Sequence, residues 1–112
     1  MFKRCVLISL AVGMAGIAQA SSDPLSDGIA TLQRGDPAHA LPLLRRAVGE
    51  KPSSASAHNF YGFALGRTGA VEEAIRQFRE ALKIDPRYPD ALYNLGTALI
   101  IEGEFVAARQ NL

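Results

Sequence analysis

The sequence has almost no cysteine and no excess of charge of either sign. Cys5 is the only cysteine among 112 residues, and 12 lysines and arginines stand against 11 aspartates and glutamates. Nucleic-acid binding calls for a clustered basic face, and this charge balance offers no support for one. With 48% hydrophobic residues, the composition is that of an ordinary globular domain.

One long uncharged apolar run is present, and it lies at the N-terminus. Residues 1–4 form a short positive region, residues 5–17 carry no charge, and Ala18 and Ala20 place small side chains where a signal peptidase reads them. The pattern predicts a secretory signal peptide over residues 1–20. An uncleaved membrane anchor is the alternative, but the run is shorter than the roughly 18–20 apolar residues that span a bilayer.

Cleavage after Ala20 would remove Lys3, Arg4 and Cys5, leaving 10 basic and 11 acidic residues, a net charge of −1 and no cysteine. Such a chain can form no disulfide and no thiolate metal site. We therefore expect a soluble protein that is periplasmic or secreted and has no membrane segment after cleavage.

Small residues recur with a period of 34 in the remaining chain, which indicates an internal repeat. The columns with three copies are Gly28, Gly62 and Gly96; Ala30, Ala64 and Ala98; Gly35, Gly69 and Gly103; Ala40, Ala74 and Ala108; and the large apolar Leu44, Phe78 and Leu112. Each unit has the pattern of two helices separated by a glycine.

The helix boundaries follow from glycine and proline. In the middle unit a helix is predicted from Ala57 to Arg67 and ends at Gly69, and a second is predicted from Val71 to Ile84 and ends before Pro86. The same pattern predicts a helix from Pro89, a break at Gly103 and a new helix near Glu104.

These residues resemble the signature of the tetratricopeptide repeat. The matching positions are Gly62, Leu65, Ala74, Phe78, Ala81 and Pro86 in one unit, and Leu95, Gly96, Leu99, Ala108 and Leu112 in the next. The resemblance implies an all-α fold, a right-handed α-solenoid of antiparallel helix pairs, over residues 21–112. Its units would be 21–54, which is degenerate and suited to capping, 55–88, which is complete, and 89–112, which is truncated.

An unfinished third unit would leave Leu95, Leu99 and Leu112 partly exposed, because solenoid repeats bury their apolar faces only against a neighbour. We expect this edge to be covered by further repeats of a longer protein or by a partner, with self-association as one form of such contact.

No pattern typical of a catalytic, cofactor or metal site is found in the sequence. His39 and His58 are 19 residues apart on different predicted helices, whereas metal ligands on a helix recur at i and i+4. His58 is expected to pack at the edge of a helix pair. The serines lack the G-x-S-x-G turn of a nucleophile. We therefore predict no enzyme activity, no cofactor and no metal.

The resemblance implies binding of a peptide or protein in a concave groove lined by the first helix of each unit. The residues at groove positions are Asn59, Phe63, Arg67, Tyr93, Asn94, Thr97 and Ile101. An asparagine such as Asn94 has an alternative role, a hydrogen bond within or between helices. Family members that clamp a terminal carboxylate use lysines and asparagines, whereas the matching positions here include Leu25, Ile29 and Asp90, so that clamp is not expected.

Two functions remain from the sequence. The first is a non-catalytic protein-interaction scaffold of the bacterial cell envelope. The second is the accessory repeat arm of an envelope enzyme, such as a peptidase or cell-wall hydrolase, whose catalytic domain lies beyond residue 112.

Overall fold

The computed structural model describes residues 23–110, which form five α-helices. They are α1 (Pro24–Gln33), α2 (Pro37–Glu50), α3 (Ala55–Arg67), α4 (Val71–Ile84) and α5 (Pro89–Gln110). The predicted all-α solenoid of antiparallel helix pairs is confirmed. The predicted signal peptide lies outside the described residues. None of the helices in the described part combines the length and the hydropathy that a membrane crossing requires.

The helices begin at polar caps. Asp23 accepts a hydrogen bond from the backbone N–H of Ser26 at the start of α1, and Asp36 accepts one from His39 at the start of α2. Ser54 accepts one from Ala57 at the start of α3. Each cap satisfies one of the backbone donors that a first helical turn leaves unpaired. The sequence therefore fixes three helix starts by local hydrogen bonding.

Two of the three glycines in one repeat column end a helix. Gly35 and Gly69 have φ values of 82° and 96°, a left-handed conformation that glycine adopts without steric cost. After α3, the N–H of Ala70 donates to the Leu65 carbonyl and the N–H of Gly69 donates to the Gly66 carbonyl. This pair of bonds is the Schellman arrangement, which closes the helix and starts the turn into α4.

The third glycine of that column does not end its helix, so the predicted break at Gly103 and new helix near Glu104 are wrong. The 22-residue helix α5 runs through Gly103, which keeps a negative φ. Residues 104–110 are exposed and pack against no second helix of their own unit. Continuing the helix satisfies their backbone N–H groups, whereas a turn would have to be offset by apolar burial that these few residues do not provide.

Within each pair, glycines of the first helix receive large side chains of the second. A Cβ built on Gly28 would lie 2.5 Å from Leu44 Cδ2, and one built on Gly62 would lie 2.7 Å from Phe78 Cε1. A Cβ on Gly66 would lie 3.8 Å from the Cβ of Ala74. The contact partners thus run in opposite directions along α3 and α4, which makes the pair antiparallel.

The core follows these contacts through the described residues. The buried side chains form one cluster of Ala40, Leu44, Tyr61, Ala64, Leu65, Val71, Ala74, Ile75, Phe78 and Ala98. Leu95 packs against it from α5. Beyond Leu95 the apolar surface of α5 is open, as the sequence predicted for this edge, with Leu99 40% and Ile100 65% exposed. Leu112 lies outside the described residues.

Candidate interaction groove

The first helices of the units line a common surface that contains two adjoining cavities. The larger, which we call the first cavity, has a volume of about 380 Å³ and lies between α1, α3 and α5. Its walls are Ile29, Leu32 and Gln33 of α1, Asn59, Phe60 and Phe63 of α3, and Asp90, Tyr93 and Asn94 of α5.

The second cavity has a volume of about 120 Å³ and lies further along α3 and α5. It is lined by Phe63, Gly66, Arg67, Val71, Phe78, Asn94, Thr97, Ala98 and Ile101. Phe63 and Asn94 belong to both cavities and form the wall between them. The two cavities together are named the groove below.

The structure brings all seven predicted groove residues to these walls. Asn59, Phe63, Tyr93 and Asn94 line the first cavity, and Phe63, Arg67, Asn94, Thr97 and Ile101 line the second. The prediction omitted the contribution of α1. A shift of 34 residues back from Phe63 and Arg67 gives Ile29 and Gln33, so the repeat period held the signal for them. Asp90 was identified as a position unsuited to a carboxylate clamp and not as part of the wall.

The two asparagines of the groove bond to each other. Asn94 Nδ2 on α5 donates to Asn59 Oδ1 on α3 over 3.1 Å. Asn59 is only 2% exposed, whereas Asn94 is half-buried. The interhelical alternative raised for Asn94 is therefore present in the structure. Asn59 holds its neighbour in place, and Asn94 is the member of the pair that presents amide atoms to the groove.

Arg67 lies beside an aromatic ring at the far end of the groove. Its guanidinium carbon is 5.8 Å from the centroid of the Phe63 ring, a distance at which the ring face attracts a cation. Arg67 also stands in the last turn of α3, where a positive charge complements the helix dipole. No ion pair of Arg67 occurs within residues 23–110. Its charge is thus held in place and open to a ligand.

Tyr93 supplies the most open aromatic surface of the groove. Its side chain is 75% exposed, and it stands on α5 one residue before Asn94. An aromatic ring offers a large flat contact area while its hydroxyl remains able to hydrogen-bond. The first cavity therefore joins apolar walls to a few polar atoms, the usual composition of a binding site.

The histidines stand away from the groove. His58 is buried, as expected for a side chain packed at a helix pair, and its ring nitrogens lie 2.7 Å from Gln77 Oε1 on α4 and 2.7 Å from the Pro52 carbonyl oxygen. His39 is exposed and lies beside Asp36. In the part of the chain described, no group of three or more His, Cys, Asp or Glu residues is placed to hold a metal ion.

The charged groups near the groove that have shifted pKa values lie on its outer side. The side-chain hydrogen bond from Arg76, followed by that from Gln77, lowers the pKa of Glu73 on α4. Gln77 Nε2 donates to Glu73 over 3.1 Å while its carbonyl oxygen faces His58. These contacts tie α4 to α3 behind the groove and leave the groove charges to Arg67 and Asp90.

Comparisons with known proteins agree with this geometry. A family model described as TPR repeat matches residues 67–100. The crystal structure of YrrB, a TPR protein described as having an unusual peptide-binding site, superposes with a TM-score of 0.70 at 28% identity, covering 77% of this chain and 46% of that one. The chain is a tetratricopeptide-repeat (TPR) protein.

Two further matches show how such repeats are distributed. The crystal structure of MamA superposes on the TPR chain with a TM-score of 0.71 at 26% identity, covering 80% of this chain and 55% of that one. A Pseudomonas putida protein named probable biofilm formation methyltransferase WspC is 30% identical over 66 residues, 59% of this chain and 16% of that protein. The TPR chain spans between 6% and 16% of the length of the larger curated relatives it matches.

Proposed function

We propose that this TPR chain is a non-catalytic interaction scaffold of the bacterial cell envelope that binds a peptide or a partner protein segment in the groove. The observation that carries the proposal is the arrangement of α1, α3 and α5, which line one continuous surface with cavities of about 380 and 120 Å³. A groove of this size with apolar walls and few polar atoms suits a short peptide better than a small polar metabolite.

The location in the cell envelope rests on the N-terminal sequence. A positive region, an uncharged apolar run and small residues at Ala18 and Ala20 favour export and cleavage. The mass of the protein recovered from the periplasm tests this directly. Loss of residues 1–20 supports export, whereas an intact N-terminus in the cytoplasm would contradict it.

Binding in the groove is tested with matched pairs of variants in the full chain. Tyr93→Ala removes the most exposed groove aromatic, and Arg67→Ala removes its positive charge. Their controls are Leu92→Ala, an exposed side chain outside both cavities, and Arg79→Ala, an exposed arginine on α4. We expect partner proteins cross-linked to the wild type to be lost with the first two variants and kept with the controls. Equal recovery with all four variants would place binding outside the groove.

A second candidate is that the repeats are the interaction arm of a larger enzyme. It is favoured by the relatives in which the matched segment is a small part of a protein named as a methyltransferase. The coding sequence downstream of residue 112 decides between the two. A nucleophile or metal-ligand motif in the same reading frame would support the arm, and a stop codon after residue 112 would exclude it.

A further inference from the structure

The groove has one charge at each end, and the asparagine pair fixes the distance between them. The helices α3 and α5 run in the same direction, because each is antiparallel to α4, and the bond between Asn59 and Asn94 sets their register. Asp90 is four residues before Asn94 and Arg67 is eight residues after Asn59. At 1.5 Å per helical residue, the two charges are separated by about 18 Å along the groove.

Neither charge is neutralised by the described part of the chain. The ion pairs found in residues 23–110 involve Asp36, Arg46, Glu73 and Glu80 with their neighbours, and none includes Arg67 or Asp90. Arg67 lines the second cavity and Asp90 lines the first. The groove therefore attracts a negative group at one end and a positive group at the other.

The second cavity limits the side chain that fits beside Arg67. Its walls are mostly apolar, with Val71, Phe78, Ala98 and Ile101 among them. Its volume of about 120 Å³ is slightly below that of an engineered apolar cavity of about 150 Å³ that holds benzene. One branched aliphatic side chain fits this space, whereas an indole ring exceeds it.

We propose that the ligand is a peptide segment with a lysine or arginine at the Asp90 end, an aliphatic side chain in the second cavity and an adjacent aspartate or glutamate side chain on Arg67. At about 3.3 Å per residue, an extended chain covers the 18 Å between the charges in about five or six residues. The proposal rests on the proposed function and adds the order and spacing of side chains in the ligand.

The acidic group is assigned to a side chain and not to a chain terminus. The positions at which a terminal carboxylate clamp would stand include Leu25, Ile29 and Asp90, and Asp90 repels a carboxylate. A single arginine gives a side-chain carboxylate a fork of two N–H donors, with no second cation needed. Peptides with amidated C-termini are therefore expected to bind.

The test is selection from a random library of displayed peptides of about nine residues, long enough to span both charges. The full chain, Arg67→Glu and the control Arg79→Glu are screened in parallel. The enriched wild-type sequences should carry an aliphatic residue next to Asp or Glu, with Lys or Arg about five residues away. Amidated synthetic copies in which that acid is replaced by glutamine should bind roughly tenfold more weakly to the wild type.

The charge reversal distinguishes this proposal from the proposed function. Arg67→Glu should exchange the selected acid for a lysine or arginine, and Arg79→Glu should leave it. Ile101→Ala, which enlarges the second cavity, should shift the neighbouring aliphatic residue towards phenylalanine. Enriched peptides that bind the groove with the same acid preference in Arg67→Glu would overturn the ligand assignment alone. No enrichment above the level of Tyr93→Ala would overturn both the assignment and binding in the groove.

Discussion

The Phe78 ring occupies the space that any side chain at Gly62 would need. A Cβ at Gly62 would lie 2.7 Å from Phe78 Cε1, and Phe78 is 3% exposed in the centre of the core. Leu44 stands in the same relation to Gly28. The distance in sequence is 16 residues in both pairs, so one contact recurs with the repeat and brings the two helices of a unit together.

We predict that Gly62→Ala destabilises the protein although alanine favours helix. Overpacking against the buried Phe78 ring costs about 1–3 kcal/mol, more than the gain of up to about 1 kcal/mol in helix propensity. Gly96→Ala is the matched control, because a Cβ there meets no atom within 4 Å, and it should stabilise by up to about 1 kcal/mol. Urea unfolding of the three proteins measures both changes. A stabilised Gly62→Ala variant would contradict the contact.

The two glycines of the turn column should respond oppositely to alanine. Gly69 has a φ of 96°, and a side chain in that conformation costs roughly 1–2 kcal/mol. Gly103 lies inside α5 with a negative φ, so Gly103→Ala should raise the free energy of unfolding by about 0.5–1 kcal/mol. Thermal melts followed by circular dichroism measure the difference. Destabilisation by Gly103→Ala would restore the turn that the sequence predicted.

The bond between Asn59 and Asn94 should couple two units energetically. Asn59→Ala and Asn94→Ala are each expected to destabilise, the first by about 1–2 kcal/mol because Asn59 is nearly inaccessible to water. In a double-mutant cycle, the interaction energy should be about 0.5–1.5 kcal/mol. Asn94→Ala combined with Thr97→Ala serves as the control pair, since the Thr97 hydroxyl donates to Tyr93 within its own helix. Additive losses for the asparagines would show that the bond is absent in solution.

The caps of the first two helices should weaken in acid. The backbone N–H of His39 lowers the pKa of Asp36, and the hydroxyl of Ser26 lowers the pKa of Asp23. Because the folded-state pKa lies below the unfolded value of about 3.9, this stabilisation is present above that pH and is lost as the pH falls through the folded-state pKa.

Asparagine caps a helix without titrating over this range. Asp36→Asn should therefore lose less stability than the wild type from about pH 5 to about pH 2, as measured by the urea midpoint at each pH. Asp23→Asn provides an independent measurement at the other cap. Identical acid profiles for both variants and the wild type would exclude a contribution from these carboxylates.

The sequence predicted those features that depend on a single unit. The bounds of α4 agree with the prediction from Val71 to Ile84, because apolar spacing, Gly69 and Pro86 all act locally. Gly103 was wrong because a glycine adopts the left-handed conformation only where the following helix packs back, and no described helix does so there. The same residue type at the same repeat position thus has two conformations.

The groove shows the same division. The repeat period placed seven side chains on its walls, and it also held the signal for Ile29 and Gln33. The burial of Asn59 was not predictable, because it depends on α5, the first helix of the next unit. Its bond to Asn94 spans 35 residues, one more than the repeat, so the period alone does not give the pair.

Phe63 and Asn94 form the wall that the two cavities share. A side chain that enters one cavity and moves this wall changes the shape of the other. Thermodynamic linkage then requires each occupant to change the affinity of the other by the same factor. The contributions of a ligand's residues would therefore be cooperative, and single substitutions along a bound peptide would not add up to its total binding free energy.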